Sequence, residues 1–126
     1  MFKYFFSSNF YVKIYKNKIV VNNLSNQLPA QMYTPDTPFT STRLLVGNFA
    51  PAMQCLKQAI KSSQSNSWLS GGIRLLIQPM EMYEGGLCEV EERVLRELGL
   101  GAGARKVVIW TGSELAKDKA IQKIAT

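Results

Sequence analysis

The spacing of apolar and polar residues divides the chain into predicted strands and helices. Residues 10–15 alternate in a composition typical of strands, and residues 19–21 are a second β-branched run. Between the two runs lies Asn17, a residue type that tolerates the left-handed backbone of a tight turn. The pattern therefore predicts a β-hairpin near the start of the chain.

Two further apolar runs, residues 74–78 and 106–110, predict buried strands, and the amphipathic stretch 89–98 predicts a helix between them. A strand, a crossover helix and a second strand of these lengths form a βαβ unit, in which the two strands lie side by side and parallel. We expect the rest of the chain to be built onto this sheet.

The segments between these elements give weaker signals. Residues 22–41 are rich in Asn, Ser, Thr and Pro and predict a loop, and residues 42–46 predict a third short strand. A helix is predicted to open near Asn48, with Pro51 in its first turn. A final helix is predicted after residues 111–114, which have the spacing of a capping box.

The helix predicted at residues 89–98 has the most detailed pattern. An apolar stripe is formed by Leu87, Val90, Val94 and Leu98, which we expect to face the core. Gly99 lies where a C-cap glycine is expected.

Composition adds limits on the kind of protein. With 126 residues, 46% hydrophobic and 19% charged, the chain is expected to form one domain of a soluble globular protein, with residues 1–8 as a candidate flexible tail. It has no run of about 18 apolar residues, so we expect no membrane span and a cytoplasmic location. Phe2, Phe5 and Phe6 beside Lys3 are candidates for weak peripheral contact with a membrane.

Charge is distributed unevenly along the chain, which carries fifteen Lys and Arg against nine Asp and Glu. The first half is basic, and six of the nine acids lie between Glu81 and Glu97. A basic surface can bind nucleic acid, and Tyr11 and Tyr15 are candidates for stacking on bases. The alternative is a set of solvated lysines on an ordinary hairpin. The candidate basic residues are Lys13, Lys16, Lys18 and Arg43.

Several kinds of catalytic chemistry lack their residues. The chain has no histidine, which removes imidazole-based acid–base and nucleophilic catalysis. Cys55 and Cys88 have no CxxC spacing and predict neither a zinc site nor any other metal site, and we expect both to fill buried or half-buried positions. The first predicted strand and helix contain none of the clustered carboxylates that a two-metal nuclease needs. We expect no cofactor and no enzymatic activity.

A family resemblance extends these inferences. Residues 89–109, and above all the turn Gly101-Ala102-Gly103-Ala104-Arg105, resemble the helix–turn–strand segment of MreB, the bacterial actin that determines rod shape. The order predicted by the pattern, hairpin-β-α-β-α-β-α, is that of the ribonuclease H-like fold, one of several topologies that the pattern allows. The resemblance favours this fold and implies an actin-like single lobe: a mixed five-stranded sheet with helices on both faces.

The chain departs from the actin-like pattern where nucleotide would bind. The first hairpin has neither the Asp nor the Gly of the family's phosphate loop. Glu91 matches a glutamate that the family uses in water activation, but without phosphate loops we interpret it as a surface residue.

A second resemblance covers residues 81–93, with Glu81, Met82, Glu84 and the Gly85-Gly86 pair ahead of the helix. This segment is similar to the YjaA family of small bacterial proteins, some of them labelled as rod-shape related. We therefore predict a non-catalytic interaction or regulatory module, linked to cell shape or stress response, with a protein partner such as a bacterial cytoskeletal protein. The candidate partner-binding residues are Glu81, Tyr83, Glu84, Glu91 and Glu92.

Overall fold

A computed structural model describes residues 8–26, 28–63 and 72–126. The chain forms an α/β structure with one five-stranded sheet and three helices. The elements in chain order are β1 (Ser8–Tyr15), β2 (Lys18–Asn23), β3 (Gln31–Tyr33), α1 (Phe49–Ser63), β4 (Ile73–Pro79), α2 (Glu89–Gly101), β5 (Ala104–Ile109) and α3 (Lys117–Ala125).

The sheet is mixed and open, with strand order β3-β2-β1-β4-β5. β2 runs antiparallel to both β1 and β3, whereas β4 is parallel to β1 and β5 is parallel to β4. The predicted hairpin is confirmed, with Asn17 at a φ of 49° in its turn. The predicted βαβ unit is also confirmed as β4, α2 and β5.

The helices lie on both faces of the sheet. Side chains alternate along a strand, so β1 contributes to the core on each face. Phe10, Val12 and Ile14 belong to the larger core cluster, which also contains the buried residues of α1 and α2. Tyr11 faces the other side, where it packs in a smaller cluster with Leu76 of β4 and Ile124 of α3. We call the first side the α2 face and the second the α3 face.

The third strand lies elsewhere than the sequence predicts. It is β3, inside the segment expected to be a loop, while residues 42–46 form bends and a turn. The segment before them is held to the hairpin turn by Asn17, whose Oδ1 accepts hydrogen bonds from the backbone N–H groups of Phe39 at 2.8 Å and Thr40 at 2.9 Å. The carbonyl of Phe39 in turn accepts a 2.9 Å hydrogen bond from the N–H of Gly47. Leu45 and Val46 are buried without pairing in the sheet, so burial of an apolar run did not require a strand here.

Helix α2 differs from its predicted form in two ways. It continues to Gly101, and Gly103 at a φ of 109°, not Gly99, supplies the left-handed residue after it. Gly99 is buried inside the helix, where an added Cβ would lie 2.7 Å from Cγ2 of Val107, so it permits close packing of α2 on β5. Val90 is 70% exposed, and Leu95 is buried in its place.

The predicted capping box at residues 111–114 is wrong, because α3 begins at Lys117 with Ala116 as its N-cap. The prediction that both cysteines are buried or half-buried is correct for Cys55 and wrong for Cys88, which is exposed. Burial raises the pKa of the Cys55 thiol. The candidate tail falls outside the described residues apart from Ser8, which begins β1. No helix of the described residues has the length and apolarity that crossing a bilayer requires.

Candidate partner-binding surface

Glu81 follows the last residue of β4 by two positions, so it lies at the carboxyl end of the central strands. Its Oε2 accepts a hydrogen bond of 2.7 Å from the backbone N–H of Lys16, in the turn of the β1–β2 hairpin. The next residue, Met82, has a φ of 60°, an uncommon backbone for a residue with a Cβ. Glu81 therefore links the loop after β4 to the hairpin. The group bound to its carboxylate in this contact is a neutral N–H and not a cation.

Glu91 is likewise engaged with the backbone. It occupies the third position of α2, and its Oε1 accepts a 3.1 Å hydrogen bond from the N–H of Cys88, the N-cap residue. This is the side-chain half of a capping box, which satisfies a donor that the start of a helix leaves open. Glu91 is partly exposed, and this hydrogen bond gives it a structural role at the start of α2.

The three other candidate residues lie on α2 and on the loop that precedes it. Glu92 pairs with Arg96 one turn further along α2, at 3.5 Å, and both side chains are about half exposed. Glu84 is exposed, and Tyr83 is half-buried with its carbonyl accepting a hydrogen bond from the N–H of Gly86 at 2.9 Å. Among the described residues, the pair of Glu92 with Arg96 is the one ion pair formed by the glutamates between Glu81 and Glu97.

An apolar groove, which the sequence did not predict, runs beside these acids between the first turns of α2 and the turn at residues 44–46. We call it the α2 groove. Phe49, at the start of α1, extends it along α2. Its most exposed apolar residues are Val90 at 70%, Leu44 at 41% and Phe49 at 40%. The lining residues used below are Leu44, Leu45, Val46, Met82, Val90 and Val94.

The groove brings together only part of the predicted site. Glu81 and Glu91 lie in its wall, whereas Tyr83, Glu84 and Glu92 are outside its lining. Its enclosed volume is about 40 Å³ between α2 and residues 44–46, and the part along α2 at Phe49 is an open trough of about 400 Å³. The first volume is far below the roughly 300–1,000 Å³ of pockets that enclose small molecules, and the second is open to solvent. The groove is therefore suited to side chains that lie across it.

One sequence signal could have revealed the exposed valine. At about 100° per residue, Val90 lies about 140° around the α2 axis from Leu95. Leu95 and Leu98 are both buried, so a core face drawn through these two leucines leaves Val90 outside it. The stripe of four apolar residues drawn from the sequence omitted Leu95 and so placed Val90 in the core.

Two of the four candidate basic residues have contacts within the protein. Lys13 is only 14% exposed, because its ammonium lies 2.8 Å from the carboxylate of Glu114. The ammonium of Lys18 lies 4.4 Å from the centroid of the Tyr15 ring, which is half-buried. Lys16 and Arg43 are exposed.

The prediction that Tyr11 stacks on a base is wrong. Tyr11 is 2% exposed, so its ring is not available to a nucleic acid. Binding of nucleic acid through Lys13, Lys16, Lys18 and Arg43 stays a prediction. The residues predicted to touch a membrane, Phe2, Phe5 and Phe6, lie outside the described residues.

Tyr11 instead belongs to a buried polar network on the α3 face. Its hydroxyl donates to Oε1 of Gln78, a side chain with no exposed surface, and accepts a 3.0 Å hydrogen bond from the N–H of Leu115. The Gln78 Nε2 donates to the carbonyl of Gly112 at 2.7 Å. Burial raises the pKa of Tyr11, and the hydrogen bond from Leu115 opposes this only in part. The network fixes the loop between β5 and α3.

Within residues 8–26, 28–63 and 72–126, no group of three or more His, Cys, Asp or Glu side chains is placed to hold a metal ion. The acids nearest the carboxyl end of β4, Glu81 and Glu91, hold backbone N–H groups as described above.

Comparison with known proteins identifies the family. No family model matches the chain. The uncharacterized protein YjaA of Escherichia coli strain K12 is 33% identical to it over 101 residues, which cover 76% of this chain and 77% of YjaA. The chain belongs to the YjaA family. The predicted membership of the YjaA family is thus confirmed.

Proposed function

We propose that this YjaA-family chain is a non-catalytic interaction or regulatory module that binds a protein partner in the α2 groove. The observation that carries the proposal is the exposure of Val90, Phe49 and Leu44 on one continuous surface. Contiguous exposed apolar surface that is bordered by polar residues is typical of protein interaction sites.

The fold gives further support. The order of elements, the mixed sheet and the helices on both faces agree with those that the MreB resemblance implied. We propose that the chain has a ribonuclease H-like topology and corresponds to a single actin-like lobe. The link to cell shape or stress response, and a cytoskeletal partner, are proposed from that resemblance.

The absence of catalysis is proposed from the roles of the acids. A general base or metal ligand needs a free carboxylate directed at its substrate or ion. Glu81 and Glu91, the two acids in the groove wall, direct one oxygen each at a backbone N–H group of the protein itself. These contacts favour a role in building the surface over a role in chemistry.

The experiment is an affinity capture from bacterial lysate with three forms of the protein. The groove variant is Val90→Ser/Phe49→Ser, and its matched control is Met32→Ser/Leu100→Ser, which removes apolar residues 63% and 44% exposed at positions outside the groove lining. We expect a protein retained by the wild type and the control and lost by the groove variant. That protein is then purified and titrated against all three forms.

Equal retention by all three forms would contradict the groove as the binding surface. The cytoskeletal partner is tested separately by co-sedimentation with filaments of purified MreB. If the wild-type protein stays in the supernatant, MreB is not the partner. The proposal that the groove binds a protein would still stand.

A further inference from the structure

We propose that the occupant of the α2 groove is a basic amphipathic helix of the partner protein. This inference rests on the proposed function and adds the shape and the charge of the segment that is bound. Three properties of the groove carry it: its position in the sheet, its apolar lining and the acids around it.

The position of the groove disfavours an extended peptide. An extended peptide commonly binds by adding a strand to an exposed sheet edge. The strand at the groove is β4, which lies in the interior of the sheet between β1 and β5, whereas the edge strands of the described sheet are β3 and β5. The groove therefore offers no free edge for strand addition, and a helix, whose backbone hydrogen bonds are internal, fits it better.

The lining favours a helix with an apolar stripe. Val90 and Val94 lie one turn apart on α2 and face the turn that carries Leu44 and Val46. Such a trough accepts apolar side chains spaced at i, i+3 or i+4 and i+7 along a second helix. The volume of about 40 Å³ between α2 and the turn, and the open trough at Phe49, indicate that these side chains would lie along the surface and not enter a deep pocket.

The acids determine the charge of the occupant. Glu81 and Glu91 accept hydrogen bonds from neutral N–H groups, which leaves their negative charges without an ion-pair partner among the described residues. Glu84, Glu89 and Glu97 are exposed nearby on the same loop and helix. Three basic side chains lie near these acids: Arg93 lines the Phe49 end, Arg43 precedes Leu44, and Lys16 donates its backbone N–H to Glu81. The five glutamates that form no ion pair among the described residues outnumber these three, so the surface keeps an excess of negative charge.

Charge complementarity therefore selects one class of occupant. Like charges placed together across an interface repel each other and oppose binding, so an acidic helix, a nucleic acid or an anionic membrane is disfavoured at this surface. Lysines or arginines that flank the apolar stripe of a helix would lie against the glutamates. The whole chain has a net charge of +6, which by itself would favour an acidic partner. The preference for a basic helix therefore comes from the glutamates around the groove and not from the charge of the whole protein.

The test uses two synthetic amphipathic peptides of about 18 residues with the same leucine stripe, one with lysine and one with glutamate at the polar positions. Fluorescence anisotropy measures the binding of each to the folded full-length chain. We expect the lysine peptide to bind at least about tenfold more tightly than the glutamate peptide, and its affinity to fall as salt is raised.

Variants then locate the binding. Val90→Ser/Phe49→Ser is expected to weaken the lysine peptide about tenfold, because apolar anchors dominate such interfaces. Glu84→Gln/Glu97→Gln is expected to weaken it less and to flatten the salt dependence, while Met32→Ser/Leu100→Ser leaves it unchanged. Nuclear magnetic resonance shifts at α2 and at residues 44–46 should accompany binding to the wild type.

Equal or tighter binding of the glutamate peptide would overturn the assigned charge. Lysine-peptide binding that the groove variant does not weaken would overturn the assigned place. If lysate capture depends on the groove while the lysine peptide does not bind, this inference fails and the proposed function stands. If neither depends on the groove, both fail.

Discussion

The two faces of the sheet use their polar residues in different ways. On the α3 face, Tyr11 and Gln78 are buried and bonded to each other and to the loop before α3, and Lys13 is paired with Glu114. The ammonium of Lys123 also lies 4.1 Å from the centroid of the Trp110 ring, and that of Lys106 donates to the carbonyl of Ile124. Polar and charged groups there add to the apolar cluster that holds α3 on the sheet.

On the α2 face, burial of apolar side chains holds the helices. Most of the glutamates there form no ion pair among the described residues. Leu95 and Leu98 are buried against the sheet, and Gly99 lets α2 approach β5 closely. Two of the six glutamates bind backbone N–H groups and one pairs with Arg96. The comparison shows that the number of charged residues on a surface does not reveal its role, because their partners decide whether the charge is available to another molecule.

The largest effect is expected from the polar network of the α3 face. Gln78→Met keeps the length of the side chain but leaves the Tyr11 hydroxyl and the Gly112 carbonyl without their partner. We expect the free energy of unfolding, measured in urea, to fall by about 2–3 kcal/mol. The matched control is Gln122→Met on the exposed side of α3, which should have little effect. If the two variants lower the free energy of unfolding equally, the hydrogen bonds of Gln78 do not contribute to stability.

The same network predicts a dependence on alkaline pH. The pKa of Tyr11 is raised by burial above its ordinary value of 10.0, so at pH values between the unfolded and folded pKa the folded state keeps a proton that the unfolded state loses. This stabilisation is fully present below pH 10.0 and is lost as the pH rises through the folded pKa. Urea unfolding across this range should therefore weaken more steeply for the wild type than for Tyr11→Phe. Parallel curves would contradict the assignment to Tyr11.

A smaller effect separates two neighbouring acids on the α2 face. Glu91→Ala removes the acceptor for the N–H of Cys88 and should cost about 1 kcal/mol of stability, while Glu91→Gln keeps an acceptor and should cost less. Glu92→Ala removes only an exposed ion pair and should cost no more than about 0.5 kcal/mol. Thermal unfolding of the three variants measures the difference. The reverse order would show that the capping hydrogen bond does not stabilise α2.

The smallest effect on stability is expected at the groove. Val90→Ser replaces a side chain that is 70% exposed, so the free energy of unfolding should change by less than about 0.5 kcal/mol. The same variant, combined with Phe49→Ser, should lose the captured partner. A stability loss of more than about 1 kcal/mol would instead place Val90 among the residues that hold the fold, as the sequence pattern first indicated.

Prediction from the sequence succeeded where the signal was local. The hairpin was recognised from two β-rich runs around Asn17, and the βαβ unit from two apolar runs with a helix of suitable length between them. The family was recognised from residues 81–93, and the comparison with YjaA confirms it. For the candidate site, the sequence located the acidic segment but neither the contacts of its glutamates nor the apolar groove beside it.

The failures share a physical cause. β3 exists because residues 31–33 pair with β2, and the more apolar residues 42–46 lie in the core without a strand neighbour. Glu81 binds a backbone N–H 65 positions earlier in the chain, a contact that no local pattern can indicate. Glu114 pairs with Lys13 across a separation of 101 residues instead of capping α3.

The sequence by itself determined the principal strands and the presence of the three helices, because periodicity and turn residues act within a few positions. It also determined the acidic character of the segment that carries α2. Only the tertiary structure decided which strand pairs at the β3 edge, which glutamates bind the backbone and which valine faces solvent. Those features depend on packing between segments far apart in the chain, and the α2 groove is a product of that packing.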